Sequence, residues 1–194
     1  MGATLVLFEP EVRLGGSDGR VGEEVTLARL DRMLRQELAG RGIEVASTGG
    51  SDRESALRAA LLEIVERQKQ RGRRLRAGDP VNVRQELPEA QRSGASSVMV
   101  VMLSRSGFAT EDGGSLPIPP DRLEPLPDER NDYEIPRADA LSRPPSVDLD
   151  LLVVDALSGD VRAHRRVTYP ARSSGEIDEA LPVLVREATR GVTR

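Results

Sequence analysis

A chain of 194 residues with a formal net charge of -4 has the length of one domain burying roughly 70% of its unfolded surface. So mild a charge singles out neither a polyanionic partner nor an anionic membrane surface. Cysteine is absent, which excludes disulfides, thiolate metal sites and cysteine nucleophiles together. Hydrophobic residues make up 38% of the chain but include only two Phe, two Tyr and no Trp, so the core is aliphatic and suits alternating helices and strands. Lys69 is the only lysine among 28 basic residues, and the arginines are spread over every predicted element, a bias of GC-rich coding rather than of arginine chemistry. No apolar run approaches the roughly 20 residues of a membrane helix.

Thr4-Leu-Val-Leu-Phe8 is short, apolar and closed by Glu9-Pro10, so it reads as a first strand whose ladder Pro10 ends. The turn Gly15-Gly-Ser-Asp-Gly19 precedes Val25, Leu27, Leu30, Leu34 and Leu38, whose spacing predicts an amphipathic helix running to Gly40 and Gly42. Ile43 to Ala46 is a second strand. Ser51-Asp-Arg-Glu54 has capping-box spacing, and a second helix follows with Leu57, Leu61, Ile64 and Val65 on one stripe. Its basic end, Gln68 to Arg76, leads to Asp79-Pro80, which predicts a short helix that Pro88 kinks and Gly94 ends.

Val98 to Leu103 is six consecutive apolar residues, the pattern of a central strand covered on both faces. From Ser104 to Val147 the chain carries most of its thirteen prolines, many carboxylates and little periodicity, as an interaction segment, a lid or disorder does. Val147 to Val154 and Val161 to Tyr169 are then two strands joined through Ser158-Gly159, a hairpin signal. Ser173-Ser-Gly-Glu176 caps a last helix marked by Ile177, Leu181, Leu184, Val185 and Ala188 and interrupted by Pro182. The predicted class is α/β (α+β): residues 1–194 form one domain with a single mixed sheet of about five strands and flanking helices. The order is β-α-β-α-α-β-(long loop)-β-β-α, with the Pro-rich excursion at 105–146.

Each chemical candidate has a plainer structural account. Gly49-Gly50-Ser51 lacks the lysine and glycine spacing of a phosphate loop and reads as a cap. Gly15, Gly16 and Gly19 do not match the dinucleotide fingerprint and read as a turn. His164, the single histidine, alternates to the face opposite Val161 and Val167 and has no nucleophile beside it, so it is expected at the surface or an interface. Asp148 and Asp150 share one strand face as a cation site would require, and are expected to form a charged, solvated face. The basic run containing Arg73, Arg74 and Arg76 would grip phosphates, but stacking aromatics are scarce, and a helix end interacting with its own dipole is the simpler account. No catalytic residue, cofactor site or metal site is predicted.

Ser93-Gly94-Ala95 before a buried strand and Val153-Val-Asp-Ala-Leu-Ser-Gly-Asp-Val161 in a hairpin resemble a recurrent pattern. It is that of the α/β domain shared by the N-terminal part of TolB, the curli secretion lipoprotein CsgG, the penicillin-binding-protein activator LpoB and the polysaccharide export lipoprotein PelC. The resemblance spans nearly the whole element order. It implies a bacterial cell-envelope protein, periplasmic or outer-membrane-anchored, that binds protein partners or self-assembles and has no catalytic site. It implies membrane attachment only through a lipid anchor absent from this chain, and no cofactor or nucleic-acid partner is expected. The excursion departs from the pattern. Its Leu116, Ile118, Leu123, Leu126, Tyr133 and Ile135, with Arg73, Arg74 and Arg76, are the expected partner contacts.

Two other classes remain open to the sequence. One is a cytosolic regulatory or nucleic-acid-binding module using Arg71 to Arg76. The other is an enzyme in which Asp112, Asp128 or Asp132 converges with His164 beneath the excursion.

Overall fold

The structure, a computed structural model, describes residues 4–14, 19–46, 52–83, 87, 94–106, 145–171 and 173–192. Among them the elements run β1 (Thr4–Leu7), β2 (Glu11–Arg13), α1 (Gly19–Gly40), β3 (Glu44–Ala46), α2 (Asp52–Gln70), β4 (Ser97–Ser106), β5 (Ser146–Asp155), β6 (Val161–Pro170) and α3, the helix Ser174–Thr189. The strands form one mixed sheet in the order β3-β1-β4-β5-β6, with β2 also paired to β4. β1 pairs in parallel with β3 and β4, while β5 pairs antiparallel with β4 and with β6.

Every residue of Val98 to Leu103 is buried, because alternate side chains of β4 enter separate cores. Met99, Val101 and Leu103 join Leu149, Leu151 and Val153 of β5 under Leu30, Leu34 and Leu38 of α1 and Ile177, Leu181 and Leu184 of α3. Val98, Val100 and Met102 join Leu152 and Val154 under Leu57, Leu61, Leu62 and Val65 of α2, with Val81, Val83 and Leu87 completing the cover. A strand buried on both faces has no polar alternation to show, hence the continuous apolar run.

Local departures from the sequence reading have physical causes. Pro10 interrupts the first ladder without ending it: Leu7 opposes Met99 and Glu11 opposes Met102. The β1–β2 side thus carries one residue more than β4, a bulge placed where proline has no N–H to give. In α1 the buried row is Thr26, Leu30, Leu34 and Leu38, a strict i+4 ridge, and Val25 is exposed. α2 buries Leu62 in addition to the predicted stripe, with Ile64 partly buried. Ser173 caps α3 as expected, its hydroxyl accepting from Glu176 N at 3.3 Å. Gly19 opens α1 rather than closing a turn. The cap at Gly49 to Ser51, Gly15 and Gly16, and Pro88 fall outside the described residues. No helix among the described residues is long and apolar enough to cross a membrane.

Candidate functional site

Toward the carboxyl end of β4 the α2-side face of the sheet changes character. Along β5 the register carries Val154 and Leu152 in the apolar layer and then Asp150 and Asp148 in the same direction, because side chains two apart share a face. Opposite them on β6 stand His164 across from Leu152, Arg166 across from Asp150 and Thr168 across from Asp148. On β4 the matching position is Ser104, paired with Asp148. Lys69 reaches in from the last turn of α2.

These groups make a partly buried network. Lys69 Nζ lies 3.0 Å from Asp148 Oδ2 and donates to Ser104 Oγ, while Thr168 Oγ1 donates to Asp148 Oδ1 at 2.7 Å. Arg166 Nε donates to Asp150 Oδ1 at 2.6 Å. His164 Nδ1 accepts the Leu75 N–H at 3.0 Å, so its ring proton is on Nε2, 3.9 Å from Asp150 Oδ1. That distance is too long for a hydrogen bond. Asp150 Oδ2, His164 Nε2 and Arg166 Nη2 are buried with no hydrogen-bond partner among the described residues.

Two sequence expectations are corrected here. Asp148 and Asp150 do not form a solvated face: they are 5% and 0% exposed, and their charges are met by Lys69 and Arg166. His164 is not a surface histidine. It is 7% exposed, because the β5–β6 register shifts between Val153, paired with Ala163, and Val154, paired with Val161. Arg162 is the extra residue. The bulge puts Val161 and His164 on the same side, where strict alternation predicted opposite sides. Lys69 belongs to the network and was not a candidate; the signal for it was its uniqueness in an arginine-rich chain. A compact ammonium on a flexible stem can meet a carboxylate and a hydroxyl together, where a guanidinium would need a planar fork of acceptors.

Arg73, Arg74 and Arg76 lie exposed in the segment that follows α2. That segment turns toward the sheet edge: Gly78 N donates to Val161 O at 2.8 Å, Val161 N to Asp79 O at 2.9 Å and Val81 N to Gly159 O at 3.0 Å. The structure therefore brings the predicted arginines to the flank of β6. The predicted contacts Leu116, Ile118, Leu123, Leu126, Tyr133 and Ile135, and the carboxylates Asp112, Asp128 and Asp132, lie outside the described residues.

The β5–β6 turn contains a second polar arrangement. Asp155 Oδ1 accepts from Leu157 N at 2.8 Å and Ser158 N at 2.9 Å, and its Oδ2 from Arg162 Nη2 at 2.6 Å. Burial pushes the carboxyl pKa up, but the Ser158 amide, Arg162 and the Leu157 amide outweigh it and hold it below the usual value. A cleft of about 260 Å³ lies at the amino ends of β1 and β4, lined by Thr4, Ser96, Ser97, Val153 and Arg162 among others, remote from the Lys69–Asp148 pair. Among the described residues no group of three or more His, Asp or Glu stands at metal-binding spacing.

No protein-family model matches the sequence, and no curated protein matches it. The structure is similar to several solved ones. A PelC dodecamer from Paraburkholderia phytofirmans shows 12% identity and a TM-score of 0.46, over 100% of this chain and 89% of that one. Lipoprotein GNA1162 from Neisseria meningitidis shows 12% identity and a TM-score of 0.39, over 98% and 99%. The LpoB C-terminal domain from Salmonella enterica shows 14% identity and a TM-score of 0.37, over 88% and 84%.

Proposed function

We propose that this protein is a non-enzymatic adaptor or assembly protein of the bacterial cell envelope, periplasmic or held at the outer membrane, acting through protein–protein contact or self-association. The observation that carries the interaction reading is the outer side of β6, which no other strand among the described residues pairs with. This edge strand has ten residues. The described residues cover its outer side at Val161, through Gly78 and Asp79, and it ends in exposed Thr168, Tyr169 and Pro170. An open strand edge is a template for pairing with another chain, and strand addition is a recurrent mode of protein recognition. The charged network beside it is engaged mainly in its own ion pairs, which suits a structural use better than turnover.

The envelope reading rests on the resemblance carried by Gly94-Ala95 and the Asp155 to Val161 turn. It extends to this chain, as self-association and a lipid anchor, what the names of the PelC dodecamer and the GNA1162 lipoprotein state of those proteins. Sedimentation velocity over a wide concentration range tests the first half, with Tyr169→Asp as the edge variant, since Tyr169 is 39% exposed. Association should grow with concentration and weaken in the variant. Fractionation of bacterial cells tests the second half. A chain that stays monomeric throughout and separates with soluble cytosolic protein removes the reading.

A further inference from the structure

Gly72 and Gly78, at φ +61° and +87°, have backbone conformations that glycine adopts without strain, and they bracket this short basic segment. Arg73 N donates to Gln68 O at 2.9 Å and Arg76 N to Asp79 Oδ2 at 2.7 Å, both local bonds. Arg73, Arg74 and Arg76 are exposed and Leu75 alone is partly buried. Its side chain rests on the α2-side core. The polar tie from the segment's centre to the sheet is Leu75 N–H to His164 Nδ1 at 3.0 Å.

We propose that this bond is a proton-operated latch: protonation of His164 releases the Arg73 to Arg76 segment from the flank of β6, and deprotonation fastens it. The proposal stands independently of the function proposed above. Because Nε2 already carries the ring proton, an added proton has only Nδ1 to occupy. Nδ1 then becomes a donor facing the Leu75 donor, and the two cannot bond. On its other side the imidazolium faces the Asp150 carboxylate, whose Oδ1 lies 3.9 Å from Nε2. Acid therefore weakens the attachment to Leu75 and strengthens the attraction to Asp150. Histidine is the side chain suited to such a change in the physiological range.

The charged groups on the elements around the ring are Asp150 on β5, Arg166 on β6, Lys69 at the end of α2, which is paired with Asp148, and Arg73, Arg74 and Arg76 on the segment itself. The latched form binds fewer protons than the open form, and falling pH shifts the balance toward opening.

Amide hydrogen exchange of the whole chain, read by NMR and corrected for the intrinsic pH dependence of exchange, tests this. Val81 is the internal reference, because its N–H is held by the Gly159 carbonyl, which does not titrate. Leu75 protection relative to Val81 should fall about tenfold or more as the His164 ring signals titrate, the size that loss of one hydrogen bond implies. In His164→Asn the amide oxygen takes the place of Nδ1 as an acceptor at every pH, and the ratio should stay flat. A Leu75 ratio that holds constant while the ring titrates overturns the latch. So does a ring that takes up no proton before the protein unfolds. If the Asn variant fails to fold, the wild-type ratio alone decides.

Discussion

Asp150 is fully enclosed, and its Oδ1 accepts from Arg166 Nε at 2.6 Å. Taking two charges out of water costs several kcal/mol per ion, and the attraction between them offsets this only while both are present. Arg166→Met should therefore destabilise the fold by about 3–5 kcal/mol, because it leaves a buried carboxylate without its cation. Adding Asp150→Leu should restore most of the loss by returning that layer to apolar packing. Urea unfolding of the two single variants and the double variant closes the cycle. If the second substitution deepens the loss, Asp150 holds the fold through partners other than Arg166. That Asp148 and Asp150 point the same way was legible from their spacing of two. Their burial was not, since it depends on Lys69 and Arg166, which lie on other elements and whose registers no local pattern encodes. His164 was misread for a similar reason: one extra residue at Arg162 reverses every side-chain direction before it on β6 relative to those after it.

The β5–β6 connection shows the same contrast within one element. Ser158-Gly159 marks a turn in any sequence, and the hairpin follows from it. The role of Asp155 in closing that hairpin appears only in three dimensions, where one carboxylate collects two backbone amides and Arg162. These partners hold its pKa below the usual 3.8 although burial pushes the other way. A carboxyl whose folded-state pKa is depressed contributes stability above its unfolded pKa and loses it as pH falls through the folded value. Asp155→Asn should thus be less stable than the parent at neutral pH, and the difference should narrow progressively as pH drops below 3.8. Unfolding midpoints in urea measured from neutral to acid pH check this. A difference that stays constant across the range would mean that the side chain acts through its shape and hydrogen bonds, with no contribution from its charge. β4 lies at the legible extreme, because full burial leaves its signature in consecutive residues. β2 lies at the other, three residues resuming a ladder that proline had seemed to end.

At the scale of the molecule, the sheet separates two aliphatic cores that share β4 and β5, and the antiparallel pairing of those strands runs without a shift from Ser97 opposite Asp155 to Ser106 opposite Ser146. The two-sided architecture was readable in advance because helices and strands alternate on either side of one fully apolar run. The path that joins the strands was readable only as composition, since a Pro-rich, aperiodic segment gives no spacing from which packing can be inferred. The pairing itself nevertheless constrains the outcome of removing that segment. Ser106 and Ser146 are register partners, so a turn of a few residues spans them geometrically. The entropic cost of closing a flexible loop rises by about 0.6 kcal/mol with each doubling of its length. Replacing the residues between these serines, about forty, with about five of Gly and Ser removes about three doublings and should raise stability by about 2 kcal/mol. The described residues of both cores lie outside the replaced span, so the shortened chain should keep the same amide exchange pattern in β4, β5 and β6. Chemical denaturation of the two chains measures the difference. A shortened chain that is less stable, or that fails to fold, would show that the excursion buries apolar surface against the domain; its Leu116, Ile118, Leu123 and Leu126 would then belong to the fold rather than to a partner interface.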